Sequence, residues 1–398
     1  MRFPSPMKFA PASIRIAALL LVGLVMIVPR VGSEAAPRGQ YFFYVGTYTD
    51  PEGKGKGIYV YRYDANTHQV TPLGLAAETT NPSWIVLHPN GRFLYAANEV
   101  GNYKGANSGG VSAFSIDRTT GKLNFLNEVR SKGADPCYIT IDKTGKWALV
   151  ANYTGGSVAV FPVLEDGKLG EASDFVQHTG HGANPKRQEG PHAHSIDLSP
   201  DNRFAFVNDL GMNGLLVYKF DSGTGKLTGL NTVVTNFAAG AGPRHFALHP
   251  SGKFAYVIAE MQSTVTTFAA NLQDGTFQPL QFTSTVPRDF TGENSAAEVE
   301  VAPSGKFLFA SNRGHDSIIA FAIDPAKGTL TPVGYTSTLG KTPRSFEIDP
   351  TGTLLFAANQ KSDNIAVFAM DANTGHLTPT GQMLPVGSPV CVKFVALE

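Results

Sequence analysis

Histidines, arginines and carboxylates gather at matched positions along this 398-residue chain. One aligned column holds Ser83, Cys137, His194, Arg244, Ala297 and Arg344, and the next holds Trp84, Tyr138, Ser195, His245, Glu298 and Ser345. A third set, Glu99, Asp209, Glu260 and Arg313, falls at the ends of short strand-like runs, with His192 and His315 in nearby loops. An imidazole titrates close to neutrality and can take a proton and return it. A carboxylate beside it can orient the ring, and guanidinium groups can hold a carboxylate, a phosphate or a developing oxyanion through paired bonds. Such a set is expensive to desolvate and is not needed for sheet packing, so its convergence points to a functional site. Each member also has a structural alternative. His194 can be a satisfied buried histidine, Glu260 or Glu298 can pair with an arginine to plug a channel, and Arg344 can tie two sheets together.

Other chemistries lack their signatures. His192 and His194 are spaced like metal ligands, but Ala193 lies between them and no third ligand has diagnostic spacing, so no metal is expected. There is no nucleophile elbow, phosphate loop or dinucleotide fingerprint, and no cofactor is expected. Cys137 and Cys391 cannot form a disulfide framework or a thiolate zinc site and are read as small buried residues. Asp209, Asn98, Asn152, Asn312 and Asn359 are read as strand-end caps, and His88, His249 and His376 as solvated turn residues.

The columns come from an internal repeat. A turn, a Gly with Lys or Arg, and an alternating apolar strand recur at residues 88–98, 142–152, 199–209, 249–260, 302–312 and 349–359, a period of about fifty residues. A second signal, a turn ending in a Gly-Lys-Leu-like triplet, recurs at 121–123, 167–169, 225–227, 275–277, 328–330 and 375–377, with a seventh member at 68–70. Seven units therefore fit. Each holds four short runs, as at 244–248, 254–260, 264–269 and 277–283, which is the pattern of a propeller blade. The expected fold is an all-β, seven-bladed β-propeller of four-stranded antiparallel blades. Residues 41–48 resemble a second strand and residues 388–395 a first strand, so the C-terminal strand is expected to join the N-terminal blade and close the ring. Trp-Asp dipeptides are absent, which sets the chain apart from WD repeats. The loops at 47–56, 99–110, 179–191 and 285–295 are long and share one face, the expected working face. There consecutive blades are expected to present ionisable groups at the same height beside the central channel.

Composition bounds the function classes. Equal numbers of basic and acidic residues, 32 of each, argue against nucleic-acid binding and against a polybasic membrane-surface protein. With 42 Gly, 26 Pro and 16% charged residues, the chain suits many short strands better than long helices. Residues 1–36 read as a signal peptide: Arg2, Lys8 and Arg15 precede an uncharged apolar run at 16–28, followed by small residues at 32–36. Without them the chain carries 28 basic and 31 acidic residues. A periplasmic or secreted location is expected, with no stable membrane insertion after cleavage; an uncleaved N-terminal anchor is the alternative. Residues 37–398 form the expected propeller domain, and the oligomeric state is open.

The segments GPHAHSIDLSPDNRFAFVNDLG at 190–211, GPRHFALHPSGKFAYVIAE at 242–260 and AAEVEVAPSGKFLFASNRGHDSI at 296–318, with YVGTYT at 44–49, resemble the seven-bladed propeller lactonase family. That family includes the propeller type of 6-phosphogluconolactonase and the carboxymuconate lactonising enzyme. The resemblance spans nearly all of the chain beyond the leader and implies a channel mouth that takes a small-molecule lactone or sugar acid without an obligatory metal. By matched motif it implies His194, Glu260, Arg244 and Arg313 as catalytic groups; the aligned columns and flanking loop add His192, His245, Glu298 and Arg344 as the expected substrate-binding set. The expected activity is hydrolysis of a sugar-acid lactone, 6-phosphogluconolactonase-like. The alternatives are the reverse lactonisation of a muconate-type diacid and a non-catalytic exported propeller that binds a ligand or protein. A leader sequence is a departure, because phosphogluconolactone belongs to cytoplasmic sugar metabolism.

Overall fold

The structure is a computed structural model that describes residues 1–5, 7, 39–49, 51–234 and 237–397. The expected signal peptide lies outside that set except at its first few residues, and among the described residues no helix is long and apolar enough to cross a membrane. The alternating apolar runs pair into seven four-stranded antiparallel sheets, the blades of a propeller. In one blade the spatial order is Pro243–Leu248, Phe254–Ala259, Thr264–Asn271 and Thr276–Ser284, innermost first. These bounds differ from the sequence reading by at most two residues. The first three strands, Gln40–Thr47, Gly57–Asp64 and Gln69–Glu78, are completed on the inside by the last one, Pro389–Ala396. That pairing ties the two ends of the chain into one sheet and leaves no open seam in the ring.

Side chains alternate across each strand, so both faces of a blade are apolar and pack on its neighbours. In the first strand Tyr41, Phe43 and Val45 join Leu354, Phe356 and Ile365 on one side, while Phe42 and Tyr44 join Ile85, Leu94 and Tyr95 on the other. The two sequence repeats meet across these faces. Gly328, at φ +71°, lies so close to the preceding blade that a Cβ would fall 2.4 Å from the Phe254 ring. Gly167 against Phe93 and Gly225 against Trp147 repeat the contact. The hydroxyls of Tyr95 and Tyr256 donate to the carbonyls of Gly167 and Gly328 at 3.0 and 2.9 Å. Both repeats thus record one interface, read from its two sides.

The inner strands share an irregularity that positions the site. Pairing with the second strand skips one residue after Pro82, Pro136, Ala193, Pro243 and Pro343, leaving Ser83, Cys137, His194, Arg244 and Arg344 unpaired. The same slip falls after Ala296 and after Pro389. Such a bulge re-aims side chains and is frequent beside functional sites. The bulge separates the two columns by pairing: the first-column residues are unpaired, while Trp84, Tyr138, Ser195, His245 and Ser345 of the second pair with the neighbouring strand.

Candidate active site

A cup of about 360 Å³ is lined by residues from all seven blades. Its floor comes from the bulge residues Cys137, His194 and Arg344. Its wall comes largely from residues that end or directly follow a second strand: Tyr48, Glu99, Tyr153 and Glu260 follow one, and Arg313 ends one. Ser295 and the loop residue Arg187 complete it. The residues just before the wall positions hold the loops still. Asn98, Asn152, Asn312 and Asn359 donate from Nδ2 to the carbonyls of Thr80, Ser131, Thr285 and Thr338 at 2.6 to 3.0 Å. Asp209 accepts from the amides of His192 and Met212, each at 2.8 Å, and meets Nδ1 of buried His178 at 2.6 Å.

Glu260 is the electrostatic centre of the cup. Its Oε1 meets Arg187 Nη2 at 2.7 Å, and its Oε2 meets Arg313 Nη2 at 2.9 Å, Arg244 Nε at 3.2 Å and His194 Nε2 at 3.8 Å. Burial alone would raise its pKa, but the guanidiniums of Arg313 and Arg244 outweigh it and hold the carboxyl well below its usual range. His194 is pushed well below 6.5, first by burial and then by the charges of Arg244 and His245. The result at neutral pH is a neutral imidazole beside an ionised carboxylate. The ring's other nitrogen, Nδ1, lies 3.7 Å from Cys137 Sγ, whose thiol burial pushes far up.

The arginines are not equivalent. Arg244 is 2% exposed and absent from the cup lining; its Nη1 donates to Ala297 O at 2.6 Å, and burial beside Arg313 and Arg344 lowers it to about 10. It braces Glu260 from beneath. Arg313 is held by Ser295 Oγ at 2.8 Å as well as by Glu260. Arg344 stands 5.3 Å over the Tyr48 ring and 4.0 Å from Glu99 Oε1, and among the described residues it makes no hydrogen bond. Tyr48 instead donates its hydroxyl to Glu99 Oε2 at 2.8 Å. The guanidinium of Arg344 therefore has donors left for a ligand.

Of the residues expected from the sequence, His194, Glu260, Arg313 and Arg344 line the cup. His192 stands behind its wall, stacked on Tyr153 at 4.6 Å with Nδ1 3.0 Å from the Tyr153 carbonyl. His245 and Glu298 are buried and absent from the cup lining, in an adjoining cluster of buried side chains. Trp84 stacks on Tyr138 at 4.5 Å, both meet the His245 ring edge-on, and His245 Nδ1 contacts Glu298 Oε1 at 2.9 Å. Ser345 Oγ donates to Glu298 Oε2 at 3.3 Å. Burial raises Glu298 to about 7, and burial with the Arg244 and Arg344 charges lowers His245. His315 packs against Phe290 at 4.9 Å and hydrogen-bonds Ser317, outside the cup. Among the described residues no group of three or more His, Cys, Asp or Glu is placed to hold a metal ion.

Sequence reasoning missed Arg187, Tyr48 and Tyr153 and undervalued Cys137. Tyr48 and Tyr153 share the aligned position of Glu99, Glu260 and Arg313, so the wall was available as a column. Asp209 had been placed in that set, but it aligns one residue earlier, with the capping asparagines. Arg187 sits in a loop without a counterpart in other blades.

A model of the family described as "Lactonase, 7-bladed beta-propeller" matches residues 42–394. The 6-phosphogluconolactonase of Bacillus subtilis is 38% identical over 356 residues, 89% of this chain and 99% of that one. Among solved structures, the periplasmic gluconolactonase of Pseudomonas aeruginosa is 35% identical with a TM-score of 0.84, covering 90% of this chain and 100% of that one. A structure from Bacteroides fragilis named as a candidate 6-phosphogluconolactonase is 36% identical with a TM-score of 0.82, covering 90% and 98%.

Proposed function

Because the chain belongs to the seven-bladed beta-propeller lactonase family, we propose that its cup hydrolyses the lactone of a sugar acid. The observation that carries this reading is the pairing, across one cavity, of a neutral His194 with an uncommitted Arg344 guanidinium. Lactone hydrolysis needs a base for water, positive charge where the carbonyl oxygen becomes an oxyanion, and a proton for the departing ring oxygen. His194 Nε2 accepts a proton as water attacks the carbonyl carbon. The C=O electron pair moves onto oxygen, where Arg344, with Arg313 beside it, balances the charge. When the oxyanion collapses, the ring C–O bond breaks and the imidazolium returns its proton to the alkoxide. The product is an open hydroxy acid, which ionises and releases one proton to solvent. Glu260 stays ionised, stabilises the transient imidazolium and keeps the arginines in place.

The leader-like segment and the likeness to a periplasmic gluconolactonase support an exported enzyme whose lactone is met outside the cytoplasm. The test is proton release in a pH-stat from a panel of aldonolactones, neutral and phosphorylated, against the spontaneous rate. Saturable turnover of at least one lactone is expected. No turnover of any, with a muconate-type diacid consumed instead, would replace hydrolysis by lactonisation.

A further inference from the structure

Three arginines and two carboxylates line the cup, with Arg244 pressed beneath Glu260, so the site holds more positive than negative charge. Arg187 is the cation of this set that a loop delivers. Its neighbours are pinned: Asn184 Oδ1 accepts the amides of Lys186 and Arg187 at 3.0 and 3.2 Å. Gln188, 1% exposed, donates to Leu210 O at 2.8 Å. The Arg187 side chain itself is 44% exposed and uses one nitrogen, Nη2, for both Glu260 Oε1 and the Tyr153 hydroxyl, at 2.7 and 3.0 Å. Its Nε and Nη1 make no hydrogen bond among the described residues. Glu260 would remain held by Arg244 and Arg313 through Oε2 if Arg187 turned away. Beyond the pair lies a groove of about 530 Å³ that includes Asn184, Lys186, Met261 and Gln262. Lys186 and Met261 are the chain neighbours of Arg187 and Glu260, which line the cup.

We propose that Arg187 determines substrate specificity by binding an anionic group, a phosphate or a carboxylate, on the end of the substrate chain remote from the lactone carbonyl. This rests on the lactonase reading for the identity of the ligand. The lactone end occupies the floor at His194 and Arg344, and the chain runs up past Glu260. Its charged end draws the free edge of Arg187 into a bidentate pair and points toward the groove, where Lys186 adds a second cation. A neutral lactone leaves Arg187 on Glu260. Charge at the tail is thus read apart from the chemistry at the floor.

The test uses the product acids, so that it does not depend on turnover. Isothermal titration of the purified chain with gluconate, 6-phosphogluconate and glucarate is compared with Arg187→Gln and Arg187→Lys, thermal unfolding confirming that each variant is folded. The parent is expected to bind at least one of the two acids with a charged tail about tenfold or more tighter than gluconate, as a charge-assisted bidentate pair allows. Arg187→Gln should bring that ratio to within about threefold, the charged acids losing more affinity than gluconate, and Arg187→Lys should fall between. Preference for 6-phosphogluconate alone identifies a phosphate reader, and equal preference for glucarate a reader of charge. No preference in the parent, or equal losses for gluconate and the charged acids in Arg187→Gln, overturns the assignment. If the ratio collapses as expected while no lactone is hydrolysed by the parent, the catalytic reading fails and the tail-binding role of Arg187 stands.

Discussion

His194 Nε2 and Glu260 Oε2 face each other at 3.8 Å in the lining of one cup. The carboxylate is ionised because arginines surround it, and the imidazole is neutral because burial, and next the Arg244 charge, oppose its protonation. The division of charge is the reverse of a salt bridge, and it leaves His194 as a base ready at neutral pH.

The pH profile follows from that division. With its pKa pushed below 6.5, His194 stays unprotonated at neutrality and gains its proton only as pH falls further. The acid limb of kcat/KM for the best lactone should therefore have an apparent pKa under 6.5, measured against the enzyme-free rate at each pH. A limb at or above 6.5 would assign the base elsewhere.

Cys137 touches His194 and lines the cup, yet its thiol is held protonated by burial. Nucleophilic catalysis needs the thiolate. Cys137→Ala should keep kcat within about fivefold, and no acyl-enzyme should be found by mass spectrometry of a quenched reaction. Loss of kcat by a hundredfold or more in a folded variant would make the cysteine a participant.

Glu298, in the buried cluster adjoining the cup, holds its proton up to about pH 7 because it is buried. A carboxyl raised in the folded state contributes stability that is complete below its unfolded pKa and is lost as pH rises toward the folded one. Glu298→Gln stays neutral throughout. Relative to the parent it should gain stability between about pH 4.5 and 7, by on the order of 1 to 3 kcal/mol, and then level off. Urea unfolding at several pH values measures this, and a difference independent of pH would refute it.

Gly328 shows what the blade interface tolerates. Its φ of +71° disfavours any side chain, and a methyl group would meet the Phe254 ring at 2.4 Å. Gly328→Ala should cost about 2 to 4 kcal/mol in unfolding free energy while leaving kcat per folded molecule unchanged. A near-neutral effect on stability would mean that the turn and the ring move apart easily.

Much of the fold was legible because each blade repeats the same two turns, and those turns touch: Gly328 and Phe254 belong to different motifs but to one contact. Counting back from the turn also located the bulge residues, since the slip falls at the same place in all seven inner strands. Side-chain direction was not legible. Arg244 and Arg344 occupy equivalent positions, yet one guanidinium turns under Glu260 toward Ala297 O and the other stands free over Tyr48. The choice depends on the neighbouring blades' side chains, which a column of letters does not contain. Arg187 was invisible for a different reason: its place is set by Asn184 and Gln188 within a single long loop, and a repeat cannot reveal what occurs once.

The most direct test is the rate of lactone hydrolysis by His194→Ala, measured by proton release on the lactone the parent turns over fastest, with folding verified by its thermal transition. Removing a general base should lower kcat/KM by about a hundredfold or more and abolish the acid limb of the pH profile. A folded His194→Ala chain that retains the parent rate would contradict the account, because it would move the general base from His194 to another group of the cup, such as Glu99 or Glu260.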